Sequence, residues 1–154
     1  MNTYEQKLKQ YLTDNNIEFE HLSFKQSCHS VADAAKAADA SIDDFVKNIC
    51  MVDQDDSFIV AIVHGNDRAS TSRVAKALGI ERPNTATPEQ ILKRTGFPCG
   101  GTPSFGFDAI FLIDEKLRDR DIVYTGGGSE NSLTKITIPE LCKANHGKFT
   151  RVRK

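Results

Sequence analysis

Apolar residues recur along this chain at two different spacings, and the switches between them mark out its elements. Tyr4, Leu8, Tyr11 and Leu12 fall at i, i+4, i+7 and i+8, one stripe of an amphipathic helix that should stop at Asp14-Asn15-Asn16. Ile17-Glu18-Phe19-Glu20-His21 then alternates apolar with polar, the period of a half-buried strand. Ser30-Val31-Ala32-Asp33 is a capping-box pattern opening the alanine-rich stretch Val31 to Ala40. Alanine is the strongest helix former, so a helix is predicted there. Ser41-Ile42-Asp43-Asp44 repeats the signature with little room after it. Val46 to Val52 reads as a strand, Asp53 to Asp56 as an acidic turn, and Phe58 to His64 as a second, buried arm of a hairpin. Thr71 to Leu78 is a short helix with Gly79 in the C′ place. Thr87-Pro88-Glu89-Gln90 sets a cap residue before a first-turn proline, so another helix should run to about Arg94. A loop dense in glycine and proline, Gly96 to Gly106, follows. Strands are expected at Phe107–Ile113, Ile122–Thr125 and Leu133–Ile138, and a last helix from Pro139.

Helices and strands intermix without a regular β-α-β rhythm, which predicts an α+β fold with a mixed, largely antiparallel sheet. No repeat or linker interrupts the pattern, and 154 residues suit one domain spanning residues 1–154. The longest apolar run, Phe58 to Val63, is far short of the about 20 residues a membrane span needs. Met1 to Tyr11 has no apolar core for a secretory signal. Twenty Lys+Arg against 21 Asp+Glu leave a formal charge of −1, which argues against nucleic-acid binding by bulk charge alone. Locally, Lys143, Lys148, Arg151, Arg153 and Lys154 make an acid-free tail, read as either a phosphate contact or a frayed, solvated end. Cysteines at 28, 50, 99 and 142 form no CxxC pair, so no zinc ribbon is predicted, and reduced thiols in a cytoplasmic protein are expected.

Chemistry could sit in four places. In Gly96 to Gly106, adjacent glycines permit positive φ and let backbone N–H groups converge on an anion or a carbonyl oxygen, held ready by prolines. A tight helix-to-strand connection fits the same residues. Gly126-Gly127-Gly128-Ser129 lacks the spacing of either a dinucleotide or a phosphate loop and reads as a hairpin loop. Lys47 breaks an apolar strand, either snorkelling to water or meeting an anion. Cys99 is a thiolate nucleophile only if a histidine reaches it, and is otherwise a small filler. His21, His29, His64 and His146 have no metal-site spacing; His64 lies beside a plausible pocket rim at Gly65-Asn66-Asp67-Arg68.

In order along the chain, these pieces resemble the YbaK/aminoacyl-tRNA editing domain. Ser30 to Ala38 is similar to its alanine-rich helix, and Val46-Lys47-Asn48 to its lysine-bearing strand. His64-Gly65-Asn66-Asp67-Arg68 resembles its "GD-R" turn, and Gly100-Gly101-Thr102-Pro103-Ser104-Phe105-Gly106 its hallmark loop. Phe111-Leu112-Ile113-Asp114 resembles its "vfiD" strand, and Gly126–Gly128 a late glycine turn. The chain departs from the pattern at Ser104, where the family has a proline before "F-G".

The resemblance implies a barrel-like sheet flanked by helices and hydrolysis of the ester joining a wrong amino acid to its tRNA. It implies no metal, no cofactor and no covalent intermediate, with the 2′-hydroxyl of the terminal adenosine assisting. Lys47 becomes the electrostatic anchor, and Gly100, Gly101 and Thr102 the groups that orient carbonyl and water. Asp67, Arg68, Pro103, Ser104 and Gly127 would surround the substrate. Partners implied are the 3′ aminoacyl end of misacylated tRNA and an aminoacyl-tRNA synthetase, with no membrane. An activated ester suits such a site, because positioning and oxyanion donors supply much of the acceleration. Two other classes stay open: a non-catalytic tRNA- or nucleotide-binding module on the same scaffold, and a thiol hydrolase built on Cys99.

Overall fold

A computed structural model describes residues 3–28 and 30–154, so His29 lies outside the described residues. Helix α1 (Thr3–Asp14) buries Leu8 and Leu12, as its stripe requires. Strand β1 forms at Glu20–Ser23, three residues later than the alternation suggested. The Ile17 amide still closes α1 onto Leu12 O, and the Glu18 amide is taken by the Glu140 carboxylate at 2.8 Å, so the ladder starts only at Glu20. Ser30 caps α2 (Val31–Ala38) by accepting the Asp33 amide, and Asp39 ends it at φ 53. Ser41 caps one 3-10 turn, Ile42–Asp44.

The hairpin has the expected bounds, β2 (Val46–Val52) against β3 (Phe58–His64), antiparallel from Val46↔His64 to Val52↔Phe58. Then come α3 (Thr71–Leu78), β4 (Asn84–Thr85), α4 (Pro88–Thr95), β5 (Ile110–Asp114), β6 (Ile122–Gly126), β7 (Ser132–Thr137), α5 (Ile138–Asn145) and β8 (Lys148–Thr150). Thr87 and Gln90 complete a reciprocal capping box on α4.

The architecture is α+β with two sheets, of order β4-β2-β3-β5-β8 and β1-β7-β6. The second is wholly antiparallel, while the first turns parallel where β5 joins β3 and β8 joins β5. The expected barrel does not close. β4 covers only Met51 and Val52 of β2, and β6 reaches the other end of that edge through one parallel bridge, Phe45↔Tyr124. Between these points the edge of β2 at Val46–Ile49 carries no ladder, and a cleft opens along it. β3 is buried along its whole length because it has a core on each face. Val60 and Ile62 pack with Leu8, Phe97, Phe105 and Leu141, while Ile59, Ala61 and Val63 pack with Val74, Leu112 and Val152.

The basic tail is not frayed. β8 pairs with β5, Val152 is fully buried, Ser70 N donates to Val152 O at 2.7 Å, and Lys154 N donates to Arg68 O at 2.8 Å. Fully buried Asp114 organises this end: it accepts the amides of Lys116, Val152 and Arg153 and the Arg153 guanidinium at 2.9 Å. No described helix is long and apolar enough to cross a membrane.

Candidate active site

Along the free edge of β2 lies a cavity of about 260 Å³. Its position at an edge explains why consecutive residues, Phe45 and then Val46 to Ile49 of β2, all line it, which side-chain alternation alone would forbid. The facing walls are Val31 and Ala34 of α2, Tyr124 to Gly126 of β6, Leu133 of β7, and the loop at Cys99, Gly100 and Thr102. Lys47 is the one charged side chain lining it among the described residues. Its ammonium donates to the Asp67 carbonyl at 3.3 Å, one of three donors spent on the turn after β3.

The loop differs from its sequence reading in conformation. Gly96 (φ 79) and Gly106 (φ 96) sit at positive φ and bracket it, whereas Cys99–Gly101 form a 3-10 turn. Gly100 lines the cavity, and no carbonyl among the described residues takes its amide within the loop. The Gly101 amide is spent on Pro98 O at 2.9 Å, so Gly101 has no donor for a substrate. It is required for another reason: a Cβ there would lie 2.5 Å from the Ser129 backbone. Gly126 is equally constrained, 2.2 Å from Thr102 O, and Gly128 N donates to Gly101 O at 2.8 Å. The two glycine segments therefore pack backbone on backbone, and the hairpin loop after β6 fixes the loop before β5.

Other expected site residues fall elsewhere. Neither Asp67 nor Arg68 lines the cavity: the Asp67 carboxylate pairs with Lys116 at 2.9 Å, and Arg68 is exposed. Asp67 contributes through its carbonyl, by holding Lys47. Pro103 is buried behind Thr102, and Gly127 is buried with its carbonyl on His21 Nε2. Ser104 is fully buried and belongs to a closed ring of hydrogen bonds. Asn48 Nδ2 donates to Thr125 Oγ1 (2.9 Å) and Thr102 O (3.1 Å), and Ser104 Oγ donates to Asn48 Oδ1 (2.6 Å). The remaining proton, on Thr125 Oγ1, then points to Ser104 Oγ at 2.7 Å.

A proline at 104 could take no part in this ring. We expect Ser104→Ala to lower unfolding free energy by about 1–3 kcal/mol, since it orphans the Asn48 carbonyl and the Thr125 hydroxyl. An unshifted denaturant midpoint would show the ring to be dispensable.

Asn48 and Thr125 are the functional candidates that sequence reasoning passed over. Both line the cavity, joined across it by the ring. The signal for them was Asn48 itself, an amide inside an apolar strand next to Lys47. Cys99 is exposed at the cavity, but no described histidine lines it with that thiol. Burial pushes the Cys50 thiol up to about 12, helped by nearby Cys99, so Cys50 acts as a packing residue.

The family model of the aminoacyl-tRNA editing domain matches residues 25–144. The chain belongs to this family. Every residue lining the editing domain's cavity lies within the matched segment. Among solved structures, a candidate trans-editing enzyme for prolyl-tRNA synthetase is 22% identical, with a TM-score of 0.91 over 100% of this chain and 99% of its own. The hypothetical protein APE2540 is 23% identical, with a TM-score of 0.88 over 96% and 99%. At these identities the likeness concerns the fold. No curated protein matches.

Helix α1, outside the matched segment, still reaches the editing domain's site. Its buried Glu5 accepts from Ser23 and from Ser129, the latter at 2.8 Å, and Ser129 meets Ser132, which lines the cavity.

Proposed function

We propose that residues 1–154 act as one editing unit that hydrolyses the ester bond of misacylated tRNA, in trans, without a metal ion. The observation that carries this reading is the meeting of Lys47 with Gly100 and Thr102 around one small cavity. In it the Lys47 ammonium stabilises the negative charge that grows on the ester carbonyl, and the Gly100 amide and the backbone of Thr102, whose hydroxyl is spent on Pro98 O at 3.0 Å, orient that carbonyl and the attacking water. The ribose 2′-hydroxyl of the terminal adenosine assists, so no acid–base pair from the protein is needed. Proximity and aligned donors account for the acceleration. A hydrolytic second sieve suits small amino acids, because direct binding separates single methylenes by only about 10–200-fold. The protein works in the cytoplasm, alone or beside a synthetase.

The features that favoured a binding module alone now have structural roles, the tail as β8 and its continuation and Ser104 in the ring with Asn48 and Thr125. Incubation with alanyl-, cysteinyl-, seryl- and prolyl-tRNA in the presence of a chelator tests the proposal. Release of at least one amino acid above the buffer blank is expected, and no release from any of them would overturn it. Cys99→Ala should keep full activity; loss of turnover in that variant would instead favour the thiol route.

A further inference from the structure

A second cavity, of about 350 Å³, adjoins the first, with Tyr124 as a wall of both. Its other lining residues are Asp44, Arg120, Asp121, Ile122 and Lys135. We propose that it receives the phosphodiester backbone of the single-stranded RNA 3′ end whose terminal residue occupies the first cavity. This deepens the deacylase reading and rests on it.

Three observations converge. Lys47 is the one charged side chain among the described residues lining the first cavity, so it offers no cation besides Lys47 for the phosphates that must follow the ester. The strand has to leave past some wall, and across Tyr124 it meets two cations. Second, the shared wall is aromatic. Tyr124 stacks on Phe45 at 4.9 Å and 17°, which stiffens it, and Lys135 lies over its ring at 5.9 Å. An aromatic side chain lining one groove with two cations, Arg120 and Lys135, is the combination that holds single-stranded nucleic acid without reading its sequence. Third, both cations sit on braced backbone. Tyr124 and Lys135 are directly opposed across β6 and β7. The Arg120 amide bonds Leu117 O, and Asp121 O accepts the Ile138 amide.

Two carboxylates share the cavity, and they do not neutralise it permanently. Arg120 reaches Asp44 only at 4.0 Å, with both side chains partly exposed, and lies 3.4 Å from His64 Nε2. Such an open pair is screened and exchanges readily for a phosphate. Asp121 is exposed.

The test compares the wild type with Arg120→Ala/Lys135→Ala, and with Arg120→Lys/Lys135→Arg as the charge-preserving control. Anisotropy of a labelled RNA minihelix bearing a single-stranded 3′ end should show binding weakened tenfold or more in the alanine variant. Its log–log salt slope should be shallower by about 0.7 for each phosphate that the variant no longer neutralises, and the control should recover most of the affinity. In turnover, the rise in KM should be at least tenfold greater for aminoacyl-tRNA than for aminoacyl-adenosine, which lacks the phosphates. Equal affinity and salt slope in the wild type and the alanine variant would overturn the proposal, as would equal losses on both substrates. If the wild type cleaves neither substrate, the deacylase reading fails by itself, and the binding arm still decides whether this cavity holds RNA.

Discussion

Lys47→Ala should lower the rate of aminoacyl-tRNA hydrolysis by a hundredfold or more while leaving the protein folded. Lys47 lines the cavity as its one charged side chain among the described residues, so no neighbour can take over its electrostatic work. Removing a single preorganised donor costs on the order of 10²–10³ in rate. The fold depends on it little: the side chain is half-buried, and its ammonium is held by one long bond to Asp67 O. Lys47→Met, which keeps an unbranched stem, should be equally slow and melt close to the wild type. Single-turnover deacylation beside a thermal melt separates the two effects. A normal rate in either variant would remove Lys47 from the mechanism.

Asp114→Ala should be the most damaging change to stability, lowering it by about 3–5 kcal/mol. Removing one partner of a buried pair leaves the other uncompensated, and here two amides of the C-terminal segment, from Val152 and Arg153, lose their acceptor too. The same carboxylate makes stability depend on pH. Burial pushes its pKa up, but the amides of Val152, Arg153 and Lys116 and the Arg153 guanidinium outweigh that and hold it below the ordinary carboxylate range. The folded state thus binds this proton less tightly than the unfolded chain. The contribution is complete above the unfolded value of about 3.9 and is lost as pH falls through the lower folded value. Chemical denaturation between pH 7 and about pH 2 should show the wild type's advantage over Asp114→Ala intact down to about pH 4 and shrinking below it. A constant difference across that range would contradict this account.

Elements with a strong period and firm punctuation were legible from residues alone. β2, β3 and α3 have the expected bounds because a turn residue or a cap closes each of them. β4 and β8 were not legible, being two and three residues long and existing only through partners distant in the chain. The barrel-like sheet was expected from family likeness alone, and the uncovered edge at Val46–Ile49 leaves it open. Within the site, Lys47 and the Gly100–Thr102 loop were noticed as a cation in an apolar strand and a pair of glycines, but their roles were expected only from the family resemblance. Gly101 and Gly127 were read as substrate-facing groups, whereas they serve by lacking a side chain where backbones meet. Asn48, Thr125 and the α2 wall escaped notice because their meeting is tertiary. No local pattern brings position 48 next to position 125.

The bond from Lys154 N to Arg68 O has a practical consequence for anyone producing this protein. Arg68 directly follows Asp67, whose carbonyl steadies Lys47, and Arg153 bridges back to Ala69. Any load on the backbone at Lys154 is therefore passed to the turn that steadies Lys47. Kinetics measured with a fusion partner joined at this point should be repeated after its removal.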